Sequence, residues 1–452
     1  MQQIVPPIRI IQKILGEQKR YDGTLYRLST HCMRVEQPDG VLLYHTLTGE
    51  LLLLATEEAA GLGTLPGPAP LGLEKLAVRW FLVPYGTDDM ALANQTRQIA
   101  ECFVEKGIAL TGYTIFTTTS CNARCFYCFE AGWGKNTMSP QTARDTAAYI
   151  AAHCGGKPVQ LGWFGGEPLV NVKAIDVVTD FLRQQGVEFC STMTSNGYLF
   201  DKTLAMRAKN DWKLDEVQIT LDGTEEVYNR RKAYVNPEGS PFQRVLRNIG
   251  LLLDTGIHVK VRLNMDEENE QDLYELVDQL SERFAGKPGF GVCLMALMED
   301  VGANPPSYTE EQRNSYAEKL RLLRAYIERK GIGVRESLKG RFAVNACLAD
   351  NSRHTTVMPD GRLGRCDSCC DASVWGSIYS DTSDEEVIRQ WKERKPPETA
   401  CKTCAVYPQC VRLKKCQNWL EHCSPIERET REHWMRRAVL GTYEDWKAIN
   451  QT

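Results

Sequence analysis

The middle third of this 452-residue chain alternates short apolar segments with longer segments that mix charged and apolar residues. The apolar segments have the length and the β-branched and aromatic content of strands, and strands that alternate with helices form parallel β–α units. The six predicted strands are Tyr113–Thr118, Val159–Phe164, Phe189–Thr194, Glu216–Leu221, His258–Asn264 and Phe290–Leu294. Six such units predict an α/β fold, a partial (β/α)6 barrel over residues 108–300, with its chemistry at the carboxyl ends of the strands.

Three cysteines follow the first predicted strand with the spacing C-x3-C-x2-C: Cys121, Cys125 and Cys128. Three thiolates can bind three irons of a 4Fe–4S cluster and leave the fourth iron open to a small ligand. The same spacing can form part of a zinc site, so the spacing alone leaves that alternative open.

Glycine and polar residues follow the next three predicted strands. The segment Gly165-Gly166-Glu167-Pro168 comes after the second strand, and glycine lets a ligand approach the backbone closely because it has no Cβ. Ser195 and Asn196 end the third strand, and Thr220 and Asp222 end the fourth. Asn-Gly and Asp-Gly are also common turn sequences, so a structural role remains an alternative there.

These motifs, with the aromatic Tyr127 before the last cysteine, resemble the signature of radical S-adenosylmethionine (SAM) enzymes. The resemblance implies that the three cysteines bind a 4Fe–4S cluster whose open iron chelates the amino and carboxylate groups of SAM. A cation for the SAM carboxylate is expected in Arg230-Arg231-Lys232, and Arg231 is preferred because a guanidinium group matches a carboxylate. The residues expected to bind SAM are Tyr127, Gly165, Gly166, Glu167, Pro168, Ser195, Asn196, Thr220, Asp222 and Arg231.

A second group of cysteines lies near the C-terminus, where nine of the 17 fall between Cys347 and Cys423. This pattern, over residues 341–425, resembles the SPASM extension of radical SAM peptide-modifying enzymes, which holds auxiliary iron–sulfur clusters. One spacing differs from that family, since five residues separate Cys410 from Cys416 instead of three. A zinc ribbon at Cys401 and Cys404 is the alternative.

The resemblance also implies a division of these cysteines between two auxiliary clusters, expected to be of the 4Fe–4S type. Cys401, Cys404, Cys410 and Cys423 would bind auxiliary II. Cys347, Cys366 and Cys416 would bind auxiliary I, whose fourth ligand is Cys369, Cys370 or a thiolate of the substrate. The chain is therefore expected to hold SAM and three iron–sulfur clusters.

Residues 1–95 are predicted to form short hairpin strands and then helices, one of them from Leu73 to Val83. This pattern resembles the winged-helix-like recognition element of peptide maturases, which binds a leader peptide at a sheet edge. The alternative is that residues 1–95 form only a cap on the barrel. Residues 301–340 are predicted to be a bridging helical region with a helix that begins at Thr309, and residues 426–452 a terminal helix.

Composition limits where the protein acts and what it binds. The net charge of −4 gives no reason to expect nucleic acid, and no apolar run is long enough to span a bilayer. The N-terminus lacks the features of a signal peptide. Since cytosolic thiols stay reduced, 17 cysteines indicate clusters rather than disulfides in a cytoplasmic protein.

The resulting hypothesis is an enzyme that forms cysteine thioether (carbon–sulfur) cross-links in a ribosomally made precursor peptide with a leader, as in sactipeptides or ranthipeptides. An electron donor such as flavodoxin or ferredoxin is expected, and no catalytic residue is assigned beyond the cluster ligands. Alternatives within enzymes are carbon–carbon cross-linking, epimerisation and sulfatase maturation. An iron–sulfur redox sensor is the non-enzyme alternative, although a sensor does not need the segment Gly165–Pro168.

Overall fold

The computed structural model describes residues 1–18, 23–104, 109–297, 310–332, 338, 347–416, 423 and 425–450. The chain divides into two units, each assembled from segments that are distant in sequence. The first unit contains Met1–Ile108, Arg335–Asn351 and Glu393–Thr452, and the second contains Ala109–Val334 and Ser352–Lys392. The predicted helix start at Thr309, and much of the predicted bridging region, lie outside the described residues.

The first unit contains an antiparallel sheet of four strands in the order β1-β5-β4-β3. Its strands are β1 (Gln2–Val5), β3 (Cys32–Gln37), β4 (Gly40–His45) and β5 (Glu50–Leu54), whereas β2 (Tyr26–Leu28) pairs with β6 (Leu82–Pro84). The N-terminal helices are α1 (Arg9–Leu15), α2 (Thr56–Ala60), α3 (Glu74–Val78) and α4 (Asp89–Val104). All six residues of β4 are buried, because its two faces belong to two different apolar clusters.

The prediction of one helix from Leu73 to Val83 is correct only for its first half. Helix α3 ends at Val78, Trp80 adopts a positive φ of 70°, and the chain continues as β6. Phe81, Leu82 and Val83 are all buried. Residues of a strand alternate between its two faces, so three consecutive buried residues indicate cover on both sides, and β6 pairs with β2.

The second unit is built on a parallel sheet whose strand order is β12-β11-β10-β9-β8-β7. The strands are β7 (Gly112–Thr118), β8 (Val159–Gly165), β9 (Phe189–Ser195), β10 (Leu214–Leu221), β11 (His258–Met265) and β12 (Phe290–Ala296). The helices are α5 (Pro140–His153), α6 (Val172–Gln184), α7 (Lys202–Asn210), α8 (Glu225–Lys232), α9 (Pro241–Asp254), α10 (Glu270–Phe284) and α11 (Glu310–Arg329). The predicted α/β fold with parallel strands is confirmed, and the strand bounds agree to within two residues.

Alternate residues of these strands face different surroundings. Ile115, Trp163 and Val261 belong to a large apolar core that includes residues of α5, α6, α9 and α10. On β10 and β11 the alternate positions are polar and only partly buried or exposed: Gln218, Thr220, Lys260 and Arg262. Register places Gln218 beside Lys260 and Thr220 beside Arg262. We call this second surface the polar face of the sheet.

Three further strands extend the sheet beyond β7. Strand β13 (His354–Val357) pairs in parallel with β7, and β14 (Arg362–Gly364) and β15 (Val374–Ser377) follow as antiparallel neighbours. Helix α12 (Glu385–Gln390) follows them. None of these strands is predicted from the sequence, because a segment of three or four residues is too short to show alternation.

The C-terminal helix α13 (Pro425–Asn450) belongs to the first unit. Its residues Val439 and Tyr443 pack against Leu42 and Tyr44 of β4. Arg436 donates a hydrogen bond to the Arg34 carbonyl on β3 at 2.7 Å. No helix in the described part of the chain combines the length and the apolar character needed to cross a membrane.

Candidate active site

The three cysteines of the C-x3-C-x2-C motif occupy the loop after β7, at the carboxyl edge of the parallel sheet. All three are partly buried. Cys121 Sγ accepts a hydrogen bond from the Ala123 N–H at 3.4 Å, and Arg124 N donates to the Lys232 carbonyl at 2.9 Å, which ties the loop to the end of α8. Burial raises the pKa of Cys121 to about 12 and also raises the pKa of Cys128. A positive charge is therefore needed here to stabilise thiolates.

Gly165, the last residue of β8, and Gly166 allow β8 to lie close to the end of β7 and the start of the cysteine loop. Gly165 has a φ of +116°, and a Cβ on it would lie 2.1 Å from the Thr118 carbonyl oxygen. A Cβ on Gly166 would lie 2.5 Å from the Ser120 carbonyl oxygen. Backbone contact within the protein is thus a reason for both glycines, in addition to the approach of a ligand that the sequence suggests.

Glu167 connects the ends of β8 and β9. Its buried carboxylate accepts hydrogen bonds from Asn196 N at 2.8 Å, Ser195 Oγ at 2.9 Å and Leu169 N at 3.1 Å. Burial raises the pKa of Glu167 to about 7, although these hydrogen bonds act in the opposite direction. The adjacent Pro168 begins a short 3-10 helix, Pro168–Asn171, and its carbonyl accepts from Thr117 Oγ1 at 3.1 Å.

The end of β9 also contacts the cysteine loop. Asn196 Nδ2 donates to Asn122 Oδ1 at 2.7 Å and lies 3.9 Å from Cys121 Sγ. Asn122 Nδ2 is buried and has no hydrogen-bond partner in the part of the chain that the structure describes. The structure therefore brings the predicted residues Glu167, Ser195 and Asn196 together with Cys121.

Tyr127, Asp222 and Lys232 form a buried polar group beside this loop. Lys232 Nζ lies 2.6 Å from the Tyr127 hydroxyl and 3.1 Å from Asp222 Oδ2, and Tyr127 also donates to Asp222. Burial alone would lower the pKa of Lys232, but the Asp222 carboxylate holds it well above its usual value. Asp222 Oδ1 is buried without a partner among the described residues. The half-buried Thr220 lies two residues earlier on β10.

Arg231 has a different environment from Lys232. Its guanidinium group pairs with both oxygens of Asp266 and lies 4.7 Å from the centre of the Phe126 ring. Both residues contact the cysteine loop, Arg231 through the Phe126 ring and Lys232 through the Tyr127 hydroxyl. Lys232 is one of the three cations that the sequence offers at this position, and it, rather than the preferred Arg231, lies in the buried group with Tyr127 and Asp222. The contact between Arg231 and SAM stays a prediction.

Three cysteines of the C-terminal pattern lie between β14 and β15 in the second unit. The thiols of Cys366 and Cys369 are hydrogen-bonded to each other, and this bond, followed by burial, raises the pKa of Cys366. Cys370 is buried beside Phe116 and Met358, and its thiol donates to the Asp367 carbonyl at 3.1 Å. Cys347 and Cys416, the other predicted auxiliary I ligands, belong to the first unit.

The predicted auxiliary II cysteines all belong to the first unit, and Glu398 contacts two parts of the set. Glu398 N donates to Cys401 Sγ at 3.4 Å, and its carboxylate accepts from Cys423 N at 3.1 Å. Cys404 follows a 3-10 helix, Thr399–Thr403, and Cys410 follows another, Tyr407–Gln409. Among the described residues, no three His, Cys, Asp or Glu side chains are arranged to hold a metal ion.

A cavity of about 630 Å³ opens at the amino ends of β8, β9 and β10, with Val159, Phe189 and Lys213 in its wall. It lies at the edge of the sheet opposite to the cysteine loop, so it is separate from the candidate site.

A parallel α/β sheet with three cysteines on the loop after its first strand is the arrangement of a radical SAM domain. Residues 115–280 match the family model of the Radical SAM superfamily. This part of the chain is therefore a radical SAM domain, and a domain of this superfamily indicates an enzyme.

Two relatives are similar in sequence to parts of the chain. Fe-coproporphyrin III synthase of Methanosarcina barkeri is 26% identical over 168 residues, which are 36% of this chain and 39% of that protein's length. A protein of Methanosarcina mazei named "Probable GTP 3',8-cyclase" is 27% identical over 313 residues, or 64% of this chain and 88% of that protein.

A solved structure shares the fold. Native anSMEcpe with bound AdoMet is 15% identical, with a TM-score of 0.56 over 75% of this chain and 100% of that chain. At this identity the likeness concerns the fold alone.

Proposed function

We propose that this protein is a radical SAM enzyme that joins a cysteine sulfur of a ribosomally made precursor peptide to carbon and so forms a thioether. The observation that carries the proposal is that one chain has two cysteine sets. Three cysteines lie on the loop after β7 beside Gly165–Pro168, and four lie in the first unit, where Glu398 contacts Cys401 and Cys423.

The cysteine loop fits a 4Fe–4S cluster that binds SAM. It offers three partly buried thiols, and the raised pKa values of Cys121 and Cys128 mean that the thiolates need iron or another cation nearby. Asn122 Nδ2 and Asp222 Oδ1, which are buried and have no hydrogen-bond partner among the described residues, offer a donor and an acceptor to a polar ligand. A bound cluster and SAM would together supply hydrogen-atom abstraction from an unactivated carbon.

The protein's own residues would hold and orient SAM. Glu167 fixes the ends of β8 and β9, and the protonated Lys232 places a cation beside the loop. We assign Lys232 as a second candidate, with Arg231, for the SAM carboxylate. The other residues proposed to contact SAM are Tyr127, Gly165, Gly166, Glu167, Pro168, Ser195, Asn196, Thr220 and Asp222.

In this proposal the C-terminal cysteines are the ligands of two auxiliary clusters. Cys401, Cys404, Cys410 and Cys423 would bind auxiliary II, and Cys347, Cys366 and Cys416 would bind auxiliary I. The hydrogen bond between Cys366 and Cys369 makes Cys369 a candidate for the fourth ligand of auxiliary I. A substrate thiolate is the alternative for that position, and it is the arrangement that favours a carbon–sulfur bond.

A peptide substrate is supported by the first unit. Strands β1 and β3 are the edges of its sheet, and an extended leader peptide can add to a free edge. The structure titled "Native anSMEcpe with bound AdoMet and Cp18Cys peptide", which has a similar fold with a TM-score of 0.54, contains a peptide. We further propose a cytoplasmic location and a flavodoxin or ferredoxin as reductant.

The test is co-expression with a cysteine-containing peptide encoded beside this protein, followed by mass spectrometry before and after thiol alkylation. The expected product has lost two hydrogen atoms for each modified cysteine, and those cysteines no longer react with the alkylating reagent. The Cys125→Ser variant should give no product, and the Cys102→Ser variant, which changes an exposed cysteine outside both sets, should behave like the unsubstituted protein. A product that loses hydrogen but keeps every thiol reactive would reassign the enzyme to carbon–carbon cross-linking, and an unchanged mass would leave epimerisation to be tested.

A nucleotide is the second candidate substrate. The relative from Methanosarcina mazei named as a GTP 3',8-cyclase matches this chain over 88% of its length. Lys260 and Arg262 lie on the polar face, where Arg262 Nε donates to Asn264 Oδ1 at 2.8 Å, and two cations in this position could bind phosphate. Incubation with GTP, SAM and reductant would yield a cyclised nucleotide if this candidate is correct.

A further inference from the structure

Arginine side chains surround Cys410 in the first unit. Arg431, on the second turn of α13, donates from Nη1 to Cys410 Sγ at 2.6 Å. Arg394 donates from Nη1 to the Cys410 carbonyl at 3.2 Å. Cys410 therefore receives charged donors at both its sulfur and its backbone oxygen.

The same helix end contacts another member of the cysteine set. Arg428, three residues before Arg431, donates to the Cys423 carbonyl at 3.4 Å. Residues three apart on a helix lie on one side, so the start of α13 presents both arginines to this cysteine set, at Cys410 and Cys423. A four-cysteine iron–sulfur cluster is an anion, and these donors match its charge.

The arginines near this cysteine set differ in the groups that they contact. Arg394 pairs with Asp350 at 2.8 Å and donates to a backbone carbonyl, and Arg412 pairs with Glu398 at 2.5 Å. The contact of Arg431 is with the sulfur itself, so its field acts where charge changes on reduction.

We propose that Arg431 raises the reduction potential of an iron–sulfur cluster held by Cys401, Cys404, Cys410 and Cys423, through its charged hydrogen bond to Cys410 Sγ. The inference rests on the proposed function, which assigns a cluster to these cysteines. Reduction adds one negative charge to such a cluster. A cationic donor on a ligand sulfur stabilises the reduced form more than the oxidised form, and hydrogen bonds to sulfur are known determinants of these potentials.

A raised reduction potential suits a cluster that takes part in an oxidative reaction. Thioether formation removes two hydrogens from the substrate, one as a hydrogen atom and the other as a proton and an electron. The electron needs an acceptor, and a cluster of raised potential accepts it more readily. Arg431 is thus a positioning residue that acts on the cluster through Cys410 and not on the substrate.

The test is a redox titration of the whole reconstituted protein with dithionite, followed by electron paramagnetic resonance. Cys121, Cys125 and Cys128 are replaced by Ser in this background so that the auxiliary signals are seen alone. The signal that disappears in Cys404→Ser belongs to the four-cysteine set. Arg431→Gln should shift the midpoint of that signal to lower potential, and Arg431→Lys should shift it less.

Arg436→Gln is the matched control, because Arg436 lies on the same helix but bonds to the Arg34 carbonyl and to Glu432. Its midpoint should equal that of the unsubstituted protein. An unchanged midpoint in Arg431→Gln with full iron content overturns the inference and leaves the proposed cluster intact. If Cys404→Ser removes no iron and no signal, the assigned cluster itself is wrong. If Arg431→Gln fails to hold iron, the midpoint of Arg431→Lys decides: a lower value supports the inference, and an unchanged value overturns it.

Discussion

Lys232 and Asp222 form a buried ion pair, with Nζ 3.1 Å from Oδ2 and less than a twentieth of either side chain exposed. Removal of one partner leaves the other charge buried without compensation, which costs about 3–5 kcal/mol. Lys232→Met should therefore lower the free energy of unfolding by about this amount. Urea unfolding can be followed by the fluorescence of the buried Trp163 and Trp212.

Two further variants test whether the stability loss in Lys232→Met comes from the unpaired buried charge. The double variant Lys232→Met with Asp222→Asn should recover part of the loss, because no buried charge then remains unpaired. Lys209→Met, which removes a partly exposed lysine 3.9 Å from Asp215, should change stability by less than about 1 kcal/mol. A double variant no more stable than Lys232→Met would contradict the explanation.

Acid should destabilise the second unit through His354. Burial, with a smaller effect of the Arg365 charge, lowers the pKa of this imidazole from 6.5 to about 4. Below pH 6.5 the unfolded chain takes up a proton that the folded chain does not, so stability is lost as the pH falls from about 6.5 towards 4. Between pH 7 and pH 5 the unsubstituted protein should lose about 2 kcal/mol more than His354→Gln. His258→Gln, at an exposed position of β11, should retain the full pH dependence.

A methyl group at Gly166 should disturb the cysteine loop. Its Cβ would lie 2.5 Å from the Ser120 carbonyl, so the loop must move, at a cost of about 1–3 kcal/mol. Gly166→Ala should bind less iron after reconstitution than Gly134→Ala, since a Cβ on Gly134 meets nothing within 4 Å. Equal iron contents would show that the loop does not depend on this close approach.

Variants that each lack a single cysteine should distinguish the function of one cysteine set from that of the other. Cys125→Ser should lose about a third of the bound iron, if three 4Fe–4S clusters are present, and should not cleave SAM. Cys404→Ser should lose a similar share and still cleave SAM, because its cysteine set is distinct from the loop after β7. Iron analysis and the yield of 5′-deoxyadenosine measure the two effects, and SAM cleavage by Cys125→Ser would contradict the assignment.

The six parallel strands could be predicted because each is a run of apolar, β-branched residues closed by glycine or a polar residue, as at Val159–Gly165. The cysteine loop was visible from spacing alone. The choice between Arg231 and Lys232 could not be predicted, because it depends on where two carboxylates lie in the folded chain: Asp266 pairs with Arg231, and Asp222 pairs with Lys232. Strands β13 to β15 were missed because they join the sheet through the pairing of β13 with β7, a contact between segments more than 200 residues apart that no local pattern reports.

The parallel pairing of β13 with β7 has a consequence for the order in which the chain can fold. During synthesis, β7 to β12 can assemble before residues 354–357 have left the ribosome, and until then one side of β7 is an open strand edge. Such an edge can pair with another chain. Completion of the sheet is thus a late, long-range step, and the nascent protein is most vulnerable to aggregation in the interval before β13 arrives.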